Sequence, residues 1–163
     1  MAVVRFTEQA RAIVKQAEKE AEAAGSPTLE AEHLLLALTG EHGTEARDVL
    51  ASVGLDRDGT RAALDREFRQ SLAAARVTLP AGGLPAASRD QGHRVRWAAS
   101  AKLVLERVGD LGERQVRPGH LLLAVLGARA GTVPRALALA SVDQGDLAAR
   151  TRQALDGGGH DPR

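Results

Sequence analysis

An all-α fold is predicted by three observations on the 163-residue chain. Hydrophobic content is built from 31 Ala, 22 Leu and 13 Val, with one Ile, two Phe, one Trp and no Tyr, so the residues that favour strands are scarce and those that favour helices abundant. Apolar residues recur every three or four positions over long stretches. The segment HLLLALTG at residues 33–40 returns as HLLLAVLG at 120–127, and Gly43, Thr44 and Arg47 return as Gly131, Thr132 and Arg135. Self-similarity of this length marks an internal repeat. The expected architecture is a pseudo-twofold tandem repeat of two four-helix units.

The first helix is expected from Thr7 to Ala24, with Ala10, Ile13, Val14, Ala17, Ala21 and Ala24 on one face. Thr7 is its N-cap and Gly25 its stop. A turn at Gly25, Ser26 and Pro27 leads to a second helix capped by Thr28 and ending at Gly40. Leu34, Leu35, Leu36 and Leu38 leave it little polar surface, so it is the candidate for burial. A third helix fits Thr44 to Val53, stopped by Gly54. A fourth fits about Asp58 to Ala75, with Leu64, Phe68 and Leu72 at a spacing of four. Residues 1–75 are then the first repeat, and 76–94, with two Pro and three Gly, a linker. The second, divergent repeat covers 95–155, and 156–163 form a flexible tail.

Composition removes several functions. The absence of Cys excludes disulfides, thiol nucleophiles and cysteine zinc sites. An aromatic content of 2% leaves no platform on which bases could stack. The net charge of +1 supplies no field for nucleic acid or anionic membrane, which makes a nucleic-acid-binding regulator, suggested by 19 Arg alone, the weakest reading. The amino-terminal residues carry charge at once and do not read as a signal sequence, and a soluble, cytoplasmic protein is expected. No phosphate loop of the Gly-x-x-x-x-Gly-Lys-Ser/Thr type, serine nucleophile motif or His-Glu-x-x-His run occurs, so no catalytic residue, metal ligand or cofactor is expected. His33 and His120 stand at matching positions on apolar helices and read as buried, hydrogen-bonded side chains.

Taken together, Phe6, Thr7 and Glu8, the acidic first helix ending at Gly25, Glu32-His33 with Leu34 to Leu36, the turn at Gly43, and Val49-Leu50 with Gly54 resemble the amino-terminal repeat domain of Clp ATPases, the C class in particular. The resemblance covers residues 5 to about 155, strongly in the first repeat and weakly in the second. It implies an all-α double repeat that binds substrate or adaptor proteins for an ATPase ring. Here it is expected as a stand-alone protein acting beside a Clp chaperone-protease.

In some relatives this domain binds phosphorylated arginine. A physical counterpart exists in the sequence: unpaired N–H groups and the positive dipole end of the first helix at Thr7, with its hydroxyl and Arg5, suit a phosphate. Glu32 suits a guanidinium through a bidentate contact. Relatives usually carry Gly-Thr before that Glu, whereas Glu30 and Ala31 stand here. In the second repeat Ala98 and Gly119 replace the Thr and the Glu, so one site per chain is expected. Phe6 and Trp97 occupy matching positions at the two repeat starts. They either pack between the repeats or line a groove, which in relatives accepts cyclic peptide antibiotics. The alternative function is therefore a sequestering protein that captures such peptides and shields a Clp ATPase.

Overall fold

A computed structural model describes residues 3–76 and 95–158. Among them are eight helices and four two-residue strands. The first half contains β1 (Arg5–Phe6), α1 (Glu8–Ala23), β2 (Thr28–Leu29), α2 (Ala31–Leu38), α3 (Glu45–Ser52) and α4 (Arg57–Ala74). The second contains β3 (Arg96–Trp97), α5 (Ala99–Asp110), β4 (Gln115–Val116), α6 (Pro118–Leu126), α7 (Thr132–Leu139) and α8 (Gln144–Gly157). The all-α class and the doubled four-helix order are as the sequence predicts. Residues 77–94, the expected linker beyond Arg76, lie outside the described residues. Asp156 and Gly157, placed by the sequence in a tail, end α8.

Caps and glycines set the helix ends. The Thr7 hydroxyl accepts from Ala10 N at 3.2 Å, Thr44 caps α3 through Arg47 N, and Asp56 caps α4 through Gly59 N. After α1 the chain reverses through Gly25 at φ +67°, with Ser26 N donating to Ala21 O. The second helix departs from expectation. Thr28 does not cap it, because Thr28 and Leu29 pair with β3 and the N-cap falls on Glu30. The period-four stripe of α4 also departs: Thr60, Ala63 and Glu67 are its buried residues, whereas Phe68 is 46% exposed. The buried face is turned by Glu67, whose carboxylate accepts from Arg135 Nε on α7 at 2.8 Å and from Ser71 Oγ.

The two strand pairs are crossed between repeats. β1 pairs in parallel with β4, and β2 with β3, so each pair joins a strand of one repeat to a strand of the other. Helix packing shows the same exchange, with α4 against α7 and α3 against α8. One core results rather than two. Ile13, Leu34, Leu35, Leu38 and Leu50 from the first half share it with Val104, Leu121, Leu122, Val125 and Leu137 from the second. At its centre α2 buries every residue from Ala31 to Leu38 except Glu32, which explains the absence of a polar face in its sequence.

Each central helix is held at its start by a buried histidine. His33 Nδ1 accepts from Glu30 N at 2.9 Å, and His120 Nδ1 accepts from Arg117 N at 3.0 Å. These bonds require an unprotonated Nδ1. Burial, the largest influence, holds both imidazoles below their ordinary pKa; Glu30 and Glu20 oppose this at His33, and Glu113 and Glu45 oppose it at His120, where Arg117 reinforces it. The folded chain therefore binds these protons more weakly than the unfolded one. Stability is complete above the ordinary imidazole range near ~6.5 and falls as pH drops through it. Urea midpoints measured between pH 7.5 and 5.5 should decline, by about 1 kcal/mol in unfolding free energy, and the decline should flatten in a His33→Asn, His120→Asn double variant.

Glu20, 4% exposed on α1, accepts from Arg57 Nη1 at 2.6 Å and Nη2 at 3.0 Å. Burial raises its carboxyl pKa, but hydrogen bonds from Arg57 and Gln16 and the charges of Arg57 and Arg61 outweigh that, and the net shift is downward. Removing the cation leaves a buried carboxylate without its fork. Because the Arg57 side chain is 41% exposed, solvent offsets part of the loss. Arg57→Met should cost about 1–3 kcal/mol by urea unfolding at pH 7.

Candidate ligand site at the crossed helix starts

Strand crossing creates two junctions, each joining helix starts from both repeats. At the first, β2 leads into α2 while its partner β3 leads into α5. Ala98 N donates to Leu29 O at 2.9 Å. Ser100 Oγ accepts from Ala31 N at 3.0 Å and donates to Glu30 Oε2 at 2.5 Å. The first-turn N–H of α2 is thus satisfied by a side chain of the other repeat. Helix α5 begins at Ala98 with no side-chain cap, which leaves its own first-turn donors without one.

Glu32 lies in the first turn of α2 and is half-buried. Burial is the largest influence on its carboxyl and pushes the pKa up. The charges of Glu30 and Glu67 push the same way, against the Thr132 hydroxyl and the Arg135 guanidinium. Arg135, the one cation among these influences, already donates to Glu67. Glu32 is left ionised only at a cost, a condition that a further cation would relieve. Trp97 belongs to this junction, half-buried against the core and in register with Leu29.

At the second junction β1 leads into α1 and β4 into α6. Arg5 N donates to Arg114 O and Thr7 N to Val116 O, both at 3.0 Å. Phe6 is half-buried, in register with Val116, and packs on the core. Arg5 is exposed. The Thr7 hydroxyl is engaged in capping α1. In α6 the Gly119 N–H donates to Glu45 Oε1 of α3 at 2.9 Å. A Cβ on Gly119 would meet Leu155 Cδ2 at 2.7 Å. The space beside Gly119 is thus taken by Leu155 and Glu45.

The residues singled out by sequence are consequently divided. Glu32 and Trp97 meet at one junction; Arg5, Phe6 and Thr7 gather at the other. Thr7 opens α1 beside β4, and Glu32 follows β2 beside β3, so the two lie at different strand junctions. The separation arises because the strand leading into α1 pairs across the repeats, which spacing within one repeat does not reveal. Sequence reasoning misses Ser100, Thr132, Glu67, Arg135 and Glu45, since each acts on an element distant in sequence. The repeat itself carries one usable signal: Thr132 and Arg135 are the counterparts of Thr44 and Arg47.

Among the described residues no group of His, Asp and Glu is arranged to hold a metal ion, and no helix is long and apolar enough to cross a membrane.

The family model of the Clp repeat N-terminal domain matches residues 5–91. No curated protein sequence matches the chain. Among solved structures, the N-terminal domain of the caseinolytic protease associated chaperone ClpD from Arabidopsis thaliana is 21% identical, with TM-score 0.65, over 94% of this chain and 96% of that one. The Hsp104 N-terminal domain from Candida albicans is 17% identical, with TM-score 0.65, over 94% and 92%. A structure described as part of a malarial protein secretion system is 15% identical, with TM-score 0.65, over 98% and 99%. At these identities the structures establish the fold, all-α and doubled, and the family model spans more than half of the chain. With its helix order and crossed repeats, the chain belongs to the Clp repeat N-terminal domain family, whose members are typically non-catalytic protein-interaction modules of Clp chaperones.

Proposed function

We propose that this chain receives substrate or adaptor proteins for a Clp chaperone-protease at the junction of α2 and α5, and that a phosphoarginine side chain is the feature it grips. The observation that carries the reading is the half-buried Glu32, whose carboxyl is held above its ordinary range by burial and by the charges of Glu30 and Glu67. It belongs to a junction that also contains the uncapped start of α5. A guanidinium satisfies the first and a phosphate the second. Thr7 and Arg5, with their helix start at the other junction, take no part in this grip. Gly119, filled in by Glu45 and Leu155, offers no second one. The protein acts without chemistry of its own, delivering clients or competing for them from the cytoplasm.

A second reading rests on Trp97 and Phe6, both half-buried at equivalent register positions. Their partly exposed rings suit an apolar ligand such as a cyclic peptide, which the protein would sequester from the ATPase. Trp97 is the one Trp of the chain, so its fluorescence reports such a ligand directly.

Isothermal titration with phosphoarginine should give saturable binding at one equivalent per chain. Glu32→Gln should weaken it at least tenfold, while Thr7→Ala should leave affinity within about twofold and cost about 1 kcal/mol of stability as a lost cap. Absence of saturable binding by the wild type would remove phosphoarginine as the ligand. Gly119→Glu, which restores a carboxylate to the second repeat, should add no second equivalent. It should instead lower stability by about 1–3 kcal/mol, since its Cβ overlaps Leu155.

A further inference from the structure

Each repeat is completed by groups from the other. The Ala31 N–H at the start of α2 donates to Ser100 Oγ, the Gly119 N–H at the start of α6 donates to Glu45 Oε1, and the buried Glu67 takes its cation from Arg135. Both strand pairs are mixed. Nothing in these contacts requires the two repeats to come from one polypeptide. The connection is residues 77–94, a length of chain that fully extended spans up to about 60 Å.

We infer that a second copy of this chain is a binding partner, entering by exchange of repeats: residues 3–76 of one copy complete residues 95–158 of the other, and the reverse. All crossed strands, caps and the Glu67–Arg135 pair form again in each composite unit, so the exchanged dimer differs from two monomers only in connectivity. It displays two α2–α5 junctions, each built from both copies. Because closing one chain on itself is intramolecular, the closed monomer is favoured at low protein concentration and the exchanged dimer grows as concentration rises.

Charge reversal distinguishes the two forms. Glu67→Arg places two cations at the α4–α7 contact of a closed monomer, and Arg135→Glu places two carboxylates there. Mixed and refolded together, the two variants restore opposite charge at both α4–α7 contacts, and do so only by exchanging repeats. Light scattering should show a 1:1 dimer with a thermal midpoint several degrees above that of either variant alone. A mixture that stays at monomer mass overturns the proposal. Where a variant does not fold, wild-type refolding supplies the test. A dimer fraction rising between about 1 μM and 1 mM, with unchanged helical circular dichroism, supports exchange; monomer at every concentration overturns it.

Discussion

The pairing of β2 with β3 and of β1 with β4 is the constraint on which the remaining structure depends. Four strands of two residues contribute little cohesion by themselves. Their effect is to aim helices, because each leads directly into one. Pairing in parallel sets the start of α2 beside that of α5 and the start of α1 beside that of α6. First-turn N–H groups of the central helices are thereby carried to the opposite repeat, where Ser100 and Glu45 meet them. An unsatisfied donor at a buried helix start costs as much as a lost hydrogen bond, so this exchange also fixes how the repeats fit.

Pseudo-symmetry then explains why the junctions share a plan but differ in chemistry. In the first, α2 contributes the Glu32 carboxylate and the start of α7 contributes the Thr132 hydroxyl. In the second, the start of α3 contributes the Glu45 carboxylate and α6 only the Gly119 N–H. The carboxylate has changed sides. Where it accepts from a backbone donor, the contact is closed and Leu155 packs against the glycine. Where it sits among Glu30 and Glu67 with one shared Arg135, charge remains unbalanced. Burial and the charges of Glu30 and Glu67 hold the Glu32 carboxyl above its ordinary range, whereas the Glu45 carboxylate is engaged by a backbone donor.

Much of the fold is legible in the sequence because it is local. Apolar spacing places α1, Thr7 and Thr44 announce helix starts, and the leucines from Leu34 to Leu38 identify the buried helix. Alanine at Ala10, Ala17 and Ala21 lets neighbouring helices approach closely, which explains how so lean a composition fills a core. Thr28 misleads for a physical reason: its hydroxyl suits a cap, yet the chain remains extended there because β3 supplies hydrogen bonds from a strand distant in sequence. The stripe of Leu64, Phe68 and Leu72 misleads likewise. The orientation of α4 is governed by the buried Glu67 reaching Arg135, not by apolar periodicity. In the candidate site, Glu32 and Trp97 are visible as residue types, but their placement at one strand junction, with Thr7 at the other, depends on strand order.

The crossed arrangement also changes what a repeat means in this chain. In stacked repeat proteins each unit buries its own face against a neighbour and the ends require caps. Here the two units interlock, and leucines from both halves share one core. A repeat lacking its partner would expose the start of α2, the buried carboxylate of Glu67 and one side of that core. The second repeat carries Gly119 where the first carries Glu32, and the backbone donor at that position is met by Glu45 of the other half instead of by a side chain of its own repeat. Leu155 packs where a side chain on Gly119 would stand, so the loss of the carboxylate and the interlocking of the halves are one arrangement.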